Sequence, residues 1–166
     1  MSIRALRLLW LVPLLILGGC ASGPAFDTTR VDKSITPRSA VAELAANTGK
    51  TVLWGGVILS TANLENTTRI EVLAYPLDSS QMPLRDRDPL GRFMLERRGF
   101  LEPASYTEGR MVTVTGTLVR TQQGKVGGSD YTYPVVEADK LYLWSKDSEY
   151  NNRSNVHFGI GVGIGL

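Results

Sequence analysis

Within the stretch Arg110–Arg120, residues 112–118 alternate between two kinds of residue. One set is Val112, Val114, Gly116 and Leu118, and the other is Thr113, Thr115 and Thr117. Successive side chains of a β-strand point to opposite faces of its sheet, so this pattern predicts a strand with one packed face and one hydrated face. A chain containing such a strand must form a sheet.

Four further segments combine β-branched and aromatic residues between turn-forming residues: Thr51–Ser60, Thr68–Leu77, Arg92–Arg97 and Tyr131–Trp144. Short polar connections at 63–66 and 124–129 predict hairpins, so most neighbouring strands should be antiparallel. Gly55-Gly56 predicts a bulge or sharp bend of the kind that lets a sheet curl into a barrel. With a helical turn at 103–106, the order predicts a mainly β protein, a small five-stranded antiparallel OB-like barrel with short helices.

One of these short helices is predicted between residues 36 and 49, before the first strand. Thr36 is a suitable N-cap, Pro37 suits the first helical position, and Gly49 can end the helix. The apolar residues at helical spacing are Val41, Leu44 and Ala45.

The first 19 residues are typical of a secretory signal peptide. Arg4 and Arg7 precede the apolar segment Leu8–Leu17, and two glycines follow it. The apolar segment is short for a bilayer-spanning helix and contains Pro13, which favours a cleaved leader over a permanent membrane anchor.

The segment Leu17-Gly18-Gly19-Cys20 resembles the lipobox of bacterial lipoproteins. The resemblance implies cleavage before Cys20, a diacylglyceryl group on its sulfur and an acyl group on its new amine. Because each buried methylene contributes about 0.8 kcal/mol, two or more acyl chains would anchor the protein stably to membrane lipid. Ala21-Ser22 lack the Asp that retains lipoproteins in the inner membrane, so we expect an outer-membrane location with the domain facing the periplasm.

These signals predict four parts of the chain. They are a signal peptide at 1–19, a lipidated cysteine and tether at 20–35, a barrel domain with its N-terminal helix at 36–144, and a polar segment with a glycine-alternating tail at 145–166. The tail Phe158–Leu166 is either a closely packed strand, a segment in contact with lipid or a barrel partner, or a loose hydrophobic end.

Charge and ligand content exclude several function classes. Without Arg4 and Arg7, the 18 basic residues fall to 16, equal to the 16 acidic residues, and this balance argues against a nucleic-acid partner. A single Cys and a single His exclude a disulfide framework and an all-protein zinc site. The sequence also lacks a phosphate-binding glycine loop, so we expect no metal and no cofactor.

Candidate catalytic groups are few. Lipid would occupy Cys20, and His157 lies in the polar C-terminal segment, so a nucleophile with a histidine base is disfavoured. Paired carboxylates could hydrolyse a glycan, and the candidates are Asp78, Asp86, Asp88, Glu96 and Glu102. Asp86 and Asp88 alternate with arginines, which is typical of a solvated loop. We therefore expect no catalytic residues.

Aromatic residues in the strands support two interpretations. They fill the barrel core, or a few of them stack on a ligand, since OB folds commonly bind oligosaccharides or oligonucleotides on an open face. For a ligand face, the candidate residues are Trp54 and Tyr75, with Arg92 as a polar partner.

The body from about Val52 to Trp144 resembles the Slp family, the starvation-inducible outer-membrane lipoproteins of Gram-negative bacteria. The resemblance is carried by Trp54–Ile58, Glu71–Asp78, Gly91–Phe93, Gly99–Pro103 followed by Tyr106, and Gly109–Gly116. Glu102 stands where the family is expected to have Asp. The resemblance implies an outer-membrane lipoprotein linked to starvation or stationary phase, with no established enzymatic activity. Our leading interpretation is a non-enzymatic binding or structural module at the cell envelope. The alternatives are a glycan-acting enzyme with paired carboxylates and an accessory subunit of an outer-membrane assembly; partners would be an envelope glycan or an outer-membrane protein.

Overall fold

The structure is a computed structural model and describes residues 24–151. The strands are β1 (Thr51–Asn63), β2 (Thr67–Tyr75), β3 (Gly91–Arg98), β4 (Met111–Val126) and β5 (Ser129–Leu143). The helices are α1 (Pro37–Ala42), α2 (Leu44–Asn47) and α3 (Lys146–Asn151). Each predicted β segment overlaps one of the strands, although β2 ends at Tyr75 and not at Leu77, and Arg110 and Trp144 lie just outside β4 and β5. The mainly β class is confirmed.

The five strands close into a barrel in the order β1-β2-β3-β5-β4, and β4 returns to pair with β1. Four of these pairings are antiparallel, whereas β3 and β5 are parallel where Met94–Glu96 face Val135–Glu137. This arrangement confirms the predicted OB-like barrel. The parallel pairing arises because β4 lies against β1, so that β5, its hairpin partner, closes the barrel against β3 in the same direction.

The two predicted hairpins are present, but the second has a shorter turn than predicted. β4 and β5 stay paired as far as Val126 and Ser129, and the turn consists of Gly127 and Gly128 with φ of +56° and +87°. Glycine adopts this left-handed conformation at low steric cost. β4 pairs with β1 only as far as Thr117, so residues 120–134 extend past the barrel as a two-stranded arm, called here the β4–β5 arm.

The predicted bulge at Gly55-Gly56 is displaced along β1. The register between β1 and β2 shifts between Ile58 and Ser60, which leaves Leu59 as the extra residue, while both glycines stay paired with Tyr75 and Ala74. A Cβ atom on Gly56 would collide with the carbonyl oxygen of Leu73. The glycine therefore permits close approach of two strands and does not form the bulge.

The N-terminal helix is confirmed in part, because it is split into α1 and α2 at Glu43, where φ is −125° and ψ is 44°. The hydroxyl of Thr36 accepts from the Ser39 N–H at 3.2 Å, and the Ser39 hydroxyl accepts from the Thr36 N–H at 3.0 Å. This reciprocal pair is a capping box. The predicted helical turn at 103–106 is a hydrogen-bonded turn.

The core fills the barrel with buried side chains from all five strands, including Trp54, Ile58, Ile70, Val72, Phe93, Leu95, Val114, Leu118 and Val136. The predicted hydrated face of β4 is wrong at two positions, because Thr113 and Thr115 are buried. The hydroxyl of Thr113 donates to the carbonyl of Gln81, so the loop between β2 and β3 covers this part of the face.

Residues 24–35 contact the barrel. Asp32 donates its N–H to the Thr51 carbonyl at 3.0 Å, and the ammonium of Lys140 lies 5.4 Å from the centre of the Phe26 ring. In the described residues, no helix has the length and apolar character needed to cross a membrane. The predictions for the leader, for Cys20, for His157 and for the tail Phe158–Leu166 lie outside the described residues.

Candidate functional site

Two of the three predicted ligand-face residues, Trp54 and Tyr75, line the same cavity. It has a volume of about 610 Å³ and lies between the segment that precedes α1, the start of β1, and the end of β2 with its following loop. We call it the α1 cavity. Its lining is Lys33, Ile35, Thr36, Pro37, Leu53, Trp54, Ala74, Tyr75, Pro76, Leu77, Asp78, Ser79, Gln81 and Leu90. Arg92 is not part of this lining.

Trp54 belongs mainly to the core. Its side chain is only 5% exposed, its ring meets the ring of Phe93 edge-on at 5.1 Å, and its indole N–H donates to the Ile35 carbonyl at 2.8 Å. Most of the Trp54 ring therefore packs in the core, as the core interpretation predicted. Since the indole N–H is already bonded, Trp54 offers a cavity ligand only hydrocarbon contact.

The outer wall of the α1 cavity is a short segment, residues 78–82, which we call the wall loop. One carboxylate oxygen of Asp78 accepts from the N–H groups of Ser80 at 2.8 Å and Met82 at 2.9 Å. Asp78 thus has the turn-forming role that its sequence context also suggested. Gln81 has a φ of +68°, which is unfavourable for a residue with a side chain.

A buried hydrogen-bond relay holds the wall loop against the barrel. The indole N–H of Trp144 donates to the Thr113 hydroxyl at 3.0 Å, and that hydroxyl donates to the Gln81 carbonyl at 2.7 Å. A Cβ atom on Gly55 would lie 2.8 Å from both the Leu77 side chain and the Thr113 hydroxyl, so this glycine makes room for the loop. Sequence reasoning missed the relay; its only local signal was the threonine series of β4.

A second cavity of about 640 Å³ lies on the other side of the wall loop. Pro24 and Phe26 of the N-terminal segment line it, as do Met82, Trp144 and Ser148. The wall loop therefore separates two cavities, and Pro24 of the N-terminal segment lines the second one.

Arg92 lies apart from both cavities, on the outer face of β2 and β3. Its guanidinium donates to Glu71 at 2.8 Å, and its backbone N–H donates to the Tyr131 hydroxyl at 2.9 Å. Tyr133 also donates to Glu71, at 3.0 Å. The hydrogen bond to Glu71 raises the pKa of Arg92 against the opposing effect of burial, and burial followed by Glu71 raises the pKa of Tyr133. Arg92 therefore binds the β4–β5 arm.

Glu96 forms a second ionic cluster on the same face. It accepts from Arg69 at 2.8 Å and from Arg120 of the arm at 2.9 Å. Burial raises the pKa of Glu96, but the hydrogen bonds from Arg120 and Arg69 outweigh that effect, so its pKa lies below the usual 4.5. A carboxylate held ionised in this way is poorly suited to act as a general acid at neutral pH.

The remaining candidate carboxylates are dispersed. Asp86, Asp88 and Glu102 are exposed, and none of them lines either cavity. Among residues 24–151, no group of three His, Cys, Asp or Glu side chains could hold a metal ion. Of the five candidate carboxylates, only Asp78 lines either cavity, so neither cavity brings two of them together.

Residues 17–160 match the family model described as the outer membrane lipoprotein Slp family. The chain belongs to the Slp family. This membership confirms the resemblance of the strand blocks and the outer-membrane location, and it makes the chain an envelope lipoprotein. The Slp match covers the whole barrel together with the wall loop and both cavities.

Two curated relatives and one solved structure are similar to this chain. An uncharacterized protein of Haemophilus influenzae is 45% identical over 103 residues, which are 61% of this chain and 56% of the relative. The outer membrane protein Slp of Escherichia coli is 27% identical over 115 residues, 69% of this chain and 61% of the relative. The matched regions thus span less than two thirds of either relative. A small single-stranded DNA-binding protein from Streptomyces coelicolor is 12% identical over 58% of this chain and 95% of its own, with a TM-score of 0.37, which carries no functional argument.

Proposed function

We propose that this Slp-family chain is a non-catalytic binding module, anchored through lipid on Cys20 and facing the periplasm, and that the α1 cavity is its binding site. The observation that supports this proposal is the shared cavity of Trp54 and Tyr75. Its volume of about 610 Å³ lies in the range of small-molecule sites, and its lining mixes apolar walls with a few polar groups.

The construction of the wall loop also supports a binding role. A residue with positive φ is an unfavourable element that is retained where the surrounding structure overdetermines it, and such residues cluster at binding and catalytic sites. Gln81 is one of these, and the Thr113 relay holds it at the cavity wall. The cavity is therefore bordered by a loop that is hydrogen-bonded to β4, the strand that pairs with β1 beside the cavity.

The lipid anchor would keep this cavity close to other envelope components. Restricting a binding domain to a membrane surface raises its effective concentration near partners on that surface. A role during starvation or stationary phase, which the family resemblance implies, would then consist of binding an envelope component in place. A glycan-acting enzyme would need two carboxylates at one site, and of the five candidates only Asp78 lines either cavity.

The proposal can be tested by photocrosslinking in intact cells. A photoreactive phenylalanine analogue replaces Ser79, which lines both cavities, and matched variants carry it at Met82, which lines only the second cavity, and at Thr48, an exposed position outside both linings. We expect a discrete adduct at position 79 in mass spectra of the purified lipoprotein and a much weaker one at position 48. An adduct at position 82 as strong as that at position 79 would assign the binding to the second cavity and contradict the proposal. Equal labelling at positions 79 and 48, or none at position 79, would also contradict it.

A further inference from the structure

The lining of the α1 cavity is mostly apolar. Of its 14 lining residues, nine have hydrocarbon or aromatic side chains, and the innermost of these are Trp54, Ala74 and Ile35, which are at most 6% exposed. A ligand that enters this space must therefore bury hydrocarbon, because a polar group without a partner is costly to remove from water.

The polar groups of the inner wall are already bonded to the protein. The Trp54 N–H donates to Ile35, the Thr36 hydroxyl takes part in the capping box with Ser39, and one oxygen of Asp78 accepts two backbone N–H groups. A saccharide presents a hydroxyl on nearly every carbon and needs partners for them when it is buried. Tyr75, Ser79 and Gln81 supply further polar side chains to the lining, but its least exposed residues are Ile35, Trp54 and Ala74. This deep part of the cavity favours a hydrocarbon chain over a sugar.

A cation stands at the cavity rim. Lys33 is exposed and has no hydrogen bond or ion pair among residues 24–151. The other charged lining residue, Asp78, directs a carboxylate oxygen into the wall loop through its bonds to Ser80 and Met82. An anionic group at the rim would thus meet a free ammonium, and the hydrocarbon attached to it would lie along the apolar wall.

The cavity is matched in size to one chain. At about 30 Å³ for each non-hydrogen atom, the volume taken by a water molecule in the liquid, a space of about 610 Å³ holds about 20 such atoms. This corresponds to a single acyl chain with a small head group, and the enclosed space is too small for both chains of a phospholipid.

The position of the cavity brings it near membrane lipid. Pro24 lines the cavity on the other side of the wall loop and is four residues from Cys20. At no more than about 3.6 Å per residue, four residues span at most about 14 Å. An acylated Cys20 would therefore hold the wall loop close to the bilayer surface.

We infer that the α1 cavity binds a single-chain amphiphile with an anionic head group, either a free fatty acid or a lysophospholipid. The apolar wall packs on the acyl chain, and Lys33 pairs with the carboxylate or phosphate. The inference rests on the proposed binding function of the cavity and assigns its ligand class.

The test uses the full lipoprotein in nanodiscs and follows leucine methyl resonances. Leu53, Leu77 and Leu90 report on the cavity, while Leu64, an exposed residue in the turn between β1 and β2, reports on non-specific partitioning. Four compounds are titrated separately: decanoate, a lysophosphatidylglycerol with a ten-carbon chain, decanol and N-acetylglucosamine. We expect decanoate and the lysolipid to shift the three cavity methyls and to leave Leu64 unchanged, and the tighter binder of the two identifies the source of the natural ligand.

Substitution of the rim cation tests the head-group assignment. Lys33→Ala should weaken decanoate binding about fivefold, as loss of one partly solvated ion pair predicts, and should leave decanol binding unchanged. The matched control is Lys125→Ala, in which the lost ammonium pairs with Asp130 on the β4–β5 arm.

Different failures have different meanings. Cavity shifts with N-acetylglucosamine but not with decanoate would overturn the ligand class and leave the α1 cavity as a binding site. Equal shifts at Leu64 and the cavity methyls would reduce the effect to partitioning and overturn the inference. Loss of the in-cell adduct at position 79 would instead refute the proposed binding function itself.

Discussion

At the scale of single residues, Gly56 is the position where the barrel is least tolerant of a side chain. It pairs with Ala74 in β2 and with Val112 in β4, so backbone surrounds it on both sides. A methyl group there would meet the carbonyl of Leu73, and neither strand can move aside without loss of ladder hydrogen bonds.

Gly56→Ala should therefore lower the free energy of unfolding by about 3 kcal/mol, at the upper end of overpacking effects. The midpoint of urea unfolding measures the change. The control is Gly99→Asn, because Gly99 has a φ of +86°, which Asn tolerates, and open space around its Cα. Similar midpoints for the two variants would show that Gly56 is not sterically constrained.

Thr113 is the residue on which the wall loop depends. Thr113→Val keeps the shape of the side chain but leaves the Trp144 N–H and the Gln81 carbonyl without their partner. We expect a loss of about 3 kcal/mol in the free energy of unfolding, since each unpaired buried group costs about 1–3 kcal/mol. Guanidinium unfolding measures it, with Thr115→Val on the same face of β4 as the control. A loss no larger than that of the control would argue against the relay.

At the scale of elements, the β4–β5 arm is the least self-sufficient part of the fold. An isolated two-stranded hairpin is marginally stable in water. The arm is held by contacts with the outer face of β2 and β3, through Tyr131, Tyr133 and Arg120. Its docking therefore depends on the charged groups of that face, Glu71 and Glu96.

Glu96→Gln should loosen the arm in a pH-dependent way. Because the pKa of Glu96 is lowered in the folded protein, its contribution to stability is complete above the usual value of 4.5 and is lost as the pH falls through the lowered pKa. At pH 7 the variant should lose about 1 kcal/mol, and its deficit should shrink under acid. Hydrogen exchange of arm amides at pH 7 and urea midpoints from pH 3 to 7 measure both effects.

The control for this prediction is Asp130→Asn. Asp130 pairs with Lys125 at 2.7 Å near the tip of the arm, but its side chain is 87% exposed, so water screens the pair. We expect no change in arm exchange or in the pH profile. A Glu96→Gln variant that behaved in the same way would show that the ionic cluster does not hold the arm.

At the scale of the whole molecule, the described N-terminal segment and both cavities lie on one side of the barrel. The N-terminal segment lines both cavities, through Lys33 and Ile35 in one and Pro24 and Phe26 in the other. A chain tethered through its N-terminus would therefore present the wall loop toward the membrane surface.

Cys20→Ser should remove the protein from the outer membrane. Without the thiol, no diacylglyceryl group can be attached. The protein would then lack the acyl chains that make anchoring stable. Fractionation of cells and intact mass of the purified product measure the change, with Ser22→Ala as the control. Unchanged membrane retention with an unchanged mass would contradict lipidation at this residue.

Local patterns in the sequence predicted much of the barrel. Three of these patterns are the alternation in β4, the glycine-bounded strand segments and the Thr36-Pro37 start of α1. Each depends on residues close together in the chain, so it can be predicted without knowledge of the tertiary structure. The split at Glu43, the bulge at Leu59 and the extension of the arm depend on how strands meet across the barrel. Local propensity does not contain that information.

By itself, the sequence determined the mainly β class and the five strand segments, which follow from periodicity, and the Slp family and outer-membrane location, which follow from the resemblance of short motifs. Only the tertiary structure decided that Trp54 and Tyr75 share a cavity, that Arg92 holds the arm and that Thr113 is buried. The physical reason is that each of these depends on pairs far apart in the chain, such as Thr113 with Gln81, whose distance is set by closure of the barrel.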